Sequence, residues 1–202
     1  MKIFGIGRNY AAHITELGNE RPDEPVIFTK PDTALLKGNE PFFYPSFSKD
    51  IHHEVEIVLR IGREGKHIEE DFAHKYIDGI TVGIDFTARD IQAKAKAKGL
   101  PWAIAKGFNG SAPIGSMQSV QDYTLEDLSF GLNVNGETRQ TGHTSHMIFS
   151  FAYQIAYLSQ FFTLKQGDLI FTGTPEGVAP VKIGDRLEAF LDNKTLLNFE
   201  VK

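Results

Sequence analysis

Short apolar runs with period-two alternation, each closed by a turn signal, recur along the whole chain: VIFTK (26–30), EVEIVLRIG (54–62), TVGIDF (81–86), LSFGLNVNG (128–136) and DLIFTG (168–173). Alternation of that length sends successive side chains to opposite faces of a strand, so the pattern commits the chain to sheets. Leu128, Phe130, Leu132 and Val134 alternate up to Asn135-Gly136, the dipeptide that most readily takes positive φ in a tight hairpin turn. RLEAFLDNKTLLNFEVK (186–202) reads as a second hairpin, and both features call for antiparallel pairing.

Helical signals are fewer. Thr87 and Asp90 have the spacing of a capping box, Ile91 to Lys98 carries good helix formers, and Gly99 precedes Pro101 as a stop. Lys94, Lys96 and Lys98 are then expected to complement the negative end of that helix rather than to bind a ligand. A second helix is expected over Glu69 to Tyr76, with Phe72 and Tyr76 on its apolar side, and a third over Ile148 to Phe161. Asn9 can cap a short helix YAAHITEL (10–17) closed by Gly18. The 19 glycines are scattered at turns, and no repeat, linker or low-complexity segment marks a boundary, so 1–202 reads as a single domain.

Composition removes several functions. There is no cysteine, which excludes thiolate zinc sites, iron–sulfur clusters and cysteine nucleophiles; a metal must sit on oxygen or imidazole. With 21 basic against 26 acidic side chains and a formal charge of -5, the chain has no electrostatic footprint for nucleic acid or an anionic membrane surface. The opening MKIFGIGRNYAAH lacks the apolar core of a signal peptide, and no stretch reaches the roughly 20 apolar residues of a membrane span. The cytoplasm is the expected compartment. Gly5-x-Gly7 lacks the third glycine of a dinucleotide fingerprint.

Glu54 and Glu56 are two apart, which on a strand puts both carboxylates on one face. Two such charges resist burial unless a proton or a hard cation neutralises them; a solvated strand face is the alternative. Asp85 ends the apolar run TVGID, where an acidic residue is harder to assign to ordinary surface, and with Thr87 read as the helix cap it is left for a ligand. Three oxygen donors suit magnesium or manganese and argue against zinc. His52 and His53 stay ambiguous between packing and ligation. Lys106 follows the apolar stretch PWAIA and precedes a glycine turn, a setting for a partly buried amine near an anionic intermediate or for a plain surface lysine. His13 and Glu16 are one helical turn apart, spaced either as a carboxylate-oriented general base or as an exposed pair.

Taken in order, GRNYAAH (7–13), HHEVEI (52–57), GIDFTARD (83–90), PWAIAKGF (101–108), RQTGHTSHMIF (139–149) and LIFTGTPEGV (169–178) resemble the fumarylacetoacetate hydrolase family across nearly the whole chain, above all its short branch of acylpyruvases and oxaloacetate decarboxylases. The resemblance implies an α+β, β-rich fold: a mixed sandwich or roll of the family's C-terminal-domain type with a few short helices, assembled as a homodimer. It implies Mg2+ or Mn2+ on Glu54, Glu56 and Asp85, an active-site lysine at Lys106, and a water-activating dyad at His13 and Glu16. The turn Gly173-Thr174-Pro175 matches the segment that holds the substrate carboxylate, and Arg8, Arg89 and Gln92 fall in motifs that line the pocket. Glu176 stands where some relatives carry a basic residue and is left out of that assignment. The implied chemistry is metal-dependent cleavage of a small 2-keto acid, by hydrolysis of an acylpyruvate or decarboxylation of oxaloacetate to pyruvate. The alternatives are an isomerase or tautomerase of an unsaturated 2-keto or 2-hydroxy dicarboxylic acid, against which the His13–Glu16 pair weighs, and a non-catalytic metal-binding module.

Overall fold

In the computed structural model, which describes residues 1–16, 18 and 20–202, Val55–Ile61 lies inside a six-stranded sheet. The strand order is Val26–Lys30, Ile3–Gly7, Leu169–Phe171, Val55–Ile61, Ile77–Ile84 and Gln118–Ser119. Among the described strands of this sheet only Ile3–Gly7 and Leu169–Phe171 pair in parallel, so the sheet is mixed. A second sheet, wholly antiparallel, takes Glu137–His143, Ser129–Val134, Arg186–Leu191 and Lys194–Glu200 in that order. Both expected hairpins are there: Asn135 and Gly136 have φ of 55° and 81°, and Asp192 turns the other hairpin at 49°.

The two sheets face one another. Ile57 and Leu59 of the first share one core with Leu132, Leu187, Ala189 and Leu197 of the second. Val58, pointing the other way, joins Ile3, Leu169 and Phe171 in a smaller core on the opposite face. A strand buried on both faces can admit polar side chains only where other groups neutralise them. That constraint applies to Glu54 and Glu56, which fall in the same alternation as Val58. A three-stranded ribbon of Ala179–Pro180, Ile51–His53 and Thr87–Ala88 adjoins this end.

Several local expectations are corrected. Thr87 does not cap the helix Arg89–Ala97, whose N-terminal flank Ala88 makes no side-chain cap; Thr87 sits buried in the ribbon and Asp90 accepts from Ser48 Oγ and Ile91 N. Buried neighbours outbid the local cap. Asn9 likewise caps nothing: its amide donates to Phe149 O and Thr172 O and accepts from Phe149 N, tying two distant segments together. The first helix is Ala11–Glu16, with Gly18 at φ 61°; Leu17 of the expected span lies outside the described residues. Glu70–Tyr76 is a 3-10 helix that buries Ala73, while Phe72 is exposed with Lys75 Nζ 4.6 Å from its ring. Phe151–Phe161 starts three residues later than expected because Ser150 caps it, accepting from Tyr153 N.

Candidate active site

Antiparallel pairing assembles the three carboxylates. Val55 lies opposite Ile84, and one step beyond, the N–H of Asp85 donates to Glu54 O at 2.8 Å, which sets Asp85 beside Glu54. Glu56 is opposite Gly83, where an added Cβ would lie 2.8 Å from Phe171 and 2.9 Å from Pro113 O. One oxygen from each of Glu54, Glu56 and Asp85 lies within 4.8 Å of the others, and the residues are 5, 2 and 0% exposed. The solvated strand face is thereby excluded.

The neutralising groups are unevenly shared. Lys106, buried at the end of the short helix Ala103–Lys106, donates to Glu54 Oε2 at 2.8 Å, Asp85 Oδ2 at 2.5 Å and Thr87 Oγ1 at 2.6 Å. Arg89 donates to Glu54 Oε1 at 2.5 Å and to Gln92 Oε1 at 2.7 Å. Lys30, unnoticed in the sequence, is equally buried: its ammonium lies 2.7 Å from Asp85 Oδ1 and donates to Ser111 O at 3.0 Å, Ser111 Oγ at 3.1 Å and Lys106 O. Glu56 receives only the backbone N–H of Gly173, at 2.7 Å, and no cation pairs with it among the described residues.

Ionisation follows this division. Burial alone would raise Glu54, but Lys106, Arg89 and His13 outweigh it and hold the carboxyl well below its usual range. Burial, then repulsion from Asp85 and Glu54, pushes Glu56 well above its usual range. Burial opposes the charge on Lys106, yet Asp85 and Glu54 raise it above the ordinary lysine value. The centre thus carries one carboxyl whose charge is uncompensated. A hard divalent cation answers that need, and three convergent carboxylates are the donor set for Mg2+ or Mn2+.

Above this floor the cavity is lined by His13, Arg8, Thr174, Gln92, Phe28 and Trp102, among others. His13 Nδ1 is 3.2 Å from Glu16 Oε2, and Glu16 Oε1 accepts from Gly177 N at 3.0 Å, so the dyad is pinned to the turn after Thr174. Thr174 Oγ1 accepts from Gln140 Nε2 at 2.9 Å. Gln140 also accepts from Val55 N at 3.0 Å and contacts His53 Nδ1 at 2.9 Å, so it holds the wall to the strand that carries Glu56. Gly173 does not line the cavity; its N–H is spent on Glu56, and at φ 112° an added Cβ would lie 2.5 Å from Asn9 Cβ. His53 is buried, and burial lowers its pKa; His52 pairs with Asp50, 2.9 Å away, and Glu176 is exposed.

The structure therefore brings His13, Glu16, Lys106, Arg8, Arg89, Gln92 and Thr174 around the carboxylate triad and sets Gly173 behind it. It adds Lys30, Thr87, Gln140 and Lys96. Gln140 and Thr87 fall in the motifs RQTGHTSH and GIDFTARD, Thr87 having been read there as a cap and Lys96 as a dipole complement, whereas Lys30 carried no signal.

This fold and centre define the family. The chain belongs to the fumarylacetoacetate hydrolase family: the model of the fumarylacetoacetate (FAA) hydrolase C-terminal domain matches residues 2–202. It is 47% identical over 204 residues to the mitochondrial oxaloacetate tautomerase FAHD1 of Arabidopsis thaliana, covering 100% of this chain and 91% of that protein. It superposes with a TM-score of 0.95, at 38% identity, on fumarylpyruvate hydrolase from Pseudomonas aeruginosa in complex with Mn2+ and pyruvate, covering 100% of this chain and 89% of that one. A 5-carboxymethyl-2-hydroxymuconate delta-isomerase from Mycobacterium smegmatis matches with a TM-score of 0.89 at 37% identity, covering 99% and 78%. The family thus supports an enzyme that processes 2-keto acids, and no described helix is long and apolar enough to cross a membrane.

Proposed function

We propose that this chain is a divalent-metal-dependent enzyme that carries a small 2-keto acid through its enolate, with keto–enol interconversion of oxaloacetate as its main reaction. The observation behind this reading is the meeting of three buried carboxylates beneath one cavity, joined to 47% identity with the oxaloacetate tautomerase; the His13–Glu16 pair, which the sequence alone set against a tautomerase, can move a proton at carbon as well as at water. Glu54, Glu56 and Asp85 would hold Mg2+ or Mn2+, which would supply Lewis-acid charge to a bound 2-keto acid. Lys106 adds positive charge where the enolate oxygen develops. His13, oriented through Nδ1 by Glu16, would use Nε2 to take the proton from C3 and to return it. Arg8, Arg89, Gln92 and Thr174 orient the carboxylates, and Gly173 acts indirectly by fixing Glu56. Decarboxylation of oxaloacetate would instead break its C3–C4 bond to release carbon dioxide and the enolate of pyruvate, with charge on the same enolate oxygen and His13 placed to return a proton to C3.

A second reading is hydrolysis of an acylpyruvate, with His13 deprotonating water that attacks the distal carbonyl. The firm anchoring of Glu16 on Gly177 N favours it, as does likeness to the fumarylpyruvate hydrolase. The two separate on one assay: enol decay of oxaloacetate and pyruvate release from acetylpyruvate and oxaloacetate, for the parent and His13→Ala. Fast metal-dependent enol decay with little pyruvate from acetylpyruvate supports the tautomerase; dominant pyruvate release from acetylpyruvate, lost in His13→Ala, replaces it with the hydrolase. The proposal includes a homodimer, consistent with Phe43 and Phe47 at 70 and 51% exposure, and light scattering of the eluted protein tests it.

A further inference from the structure

The helix Arg89–Ala97 delivers more to the cavity than its first turn. Arg89, Gln92 and Lys96 are three and then four residues apart, so they lie along one stripe, and all three line the cavity; Lys94 and Lys98 do not. Arg89 is bound at the floor to Glu54, while Lys96 starts two turns farther out, about 10 Å along the axis. Helical side chains lean toward the N-terminus, which aims the Lys96 stem back over Gln92 toward Arg89. Arg8 comes from the other side, at the end of the strand Ile3–Gly7, with φ at 61°. That left-handed backbone costs a non-glycine residue on the order of 1 kcal/mol, and such strain gathers at functional sites. Arg8, Arg89 and Lys96 line the same cavity, and partial burial, then Arg8 and Arg89, hold the Lys96 ammonium below its ordinary value.

Two ends of the cavity therefore differ in sign. The floor is a carboxylate centre suited to a cation and, through it, to the 2-keto acid end of a substrate; the outer wall presents converging cations, with Ile6, Phe28 and Trp102 as apolar sides. We infer that Lys96, together with Arg8, binds a second, distal carboxylate and makes the enzyme selective for short 2-keto dicarboxylic acids over their monocarboxylic analogues. The inference deepens the proposed function and rests on its assignment of the floor as the chelating end. It also replaces the expectation that Lys96 only complements the helix dipole.

The test uses Mn2+-loaded protein as the parent, Lys96→Gln, Lys96→Arg and, as a control on the same helix, Lys94→Gln. Kd is measured by calorimetry for malate and for lactate, 2-hydroxy acids with the same chelating end that differ by the distal carboxylate; KM and kcat are measured for oxaloacetate. Lys96→Gln is expected to raise the malate Kd and the oxaloacetate KM about tenfold, the scale of one lost charge-assisted hydrogen bond, with kcat within about twofold and lactate unaffected. Lys96→Arg restores both constants and Lys94→Gln changes neither. A parent that binds malate no tighter than lactate, or a Lys96→Gln variant that weakens both ligands equally, overturns the inference. If the malate–lactate contrast holds while oxaloacetate is not turned over, the distal site stands and the proposed reaction falls.

Discussion

The floor of the cavity and the helix that closes over it are built by opposite means. On the floor, neighbouring strands of a twice-buried sheet hold Glu54, Glu56 and Asp85, and residues as distant in sequence as 30, 89, 106 and 173 supply their partners. The covering helix Ala11–Glu16 is six residues long and is held at its ends by Asn9 on Phe149 and Thr172 and by Glu16 on Gly177. Rigid sheet geometry suits a metal centre, which tolerates little displacement of its ligands, whereas a helix of six residues tied at its ends suits a group that must admit substrate.

The sharpest way to break this contrast is at the floor. Asp85→Asn is expected to lower metal-dependent turnover of oxaloacetate by about 10³ or more, roughly 4 kcal/mol, measured as initial rates at saturating Mn2+. Lys106→Met strips Glu54 and Asp85 of a buried partner and should destabilise the metal-free protein by about 3–5 kcal/mol in urea titrations. Added metal should recover part of that loss. In the cover, His13→Ala should slow turnover by about 10² without a comparable loss of stability, read from kcat and the urea midpoint on the same preparation. A loss of several kcal/mol of stability there would erase the distinction between floor and cover.

The smallest effect concerns Glu56. Its carboxyl is raised by burial and by its neighbours, so the stability tied to its proton is fully present below the usual carboxylate range, about 4.3, and is lost as pH rises through the raised value. Glu56→Gln keeps an acceptor for Gly173 N–H without the charge. The metal-free variant should therefore melt higher than the parent at pH 8, by on the order of 3 °C for about 1 kcal/mol, with the gap closing toward pH 4. Calorimetric scans of both proteins with metal removed measure it.

What could be read beforehand followed the physics of periodicity. Alternation placed Glu54 and Glu56 on one face because a strand repeats every two residues whatever surrounds it, and the apolar run before Asp85 marked a buried acid. The family motifs added His13, Glu16 and Lys106. Lys30 was not legible, since a buried lysine is stable only through acceptors from Asp85, Lys106 and Ser111, none near it in sequence. Thr87 and Asn9 were misread for a related reason: each has the side chain of a helix cap, but a buried ammonium claimed one and two carbonyls claimed the other. Lys96 looked like dipole complement because the face a helix turns inward is decided by packing, not by its own charges.

The most direct measurement is the rate of oxaloacetate enol–keto interconversion by the Mn2+-loaded parent, recorded before chelator, after excess chelator, and after Mn2+ is restored. Loss of the enzymic rate on chelation and its return with the ion is the expected result. Interconversion that continues unchanged in chelator would contradict a metal centre at Glu54, Glu56 and Asp85 as the origin of the activity.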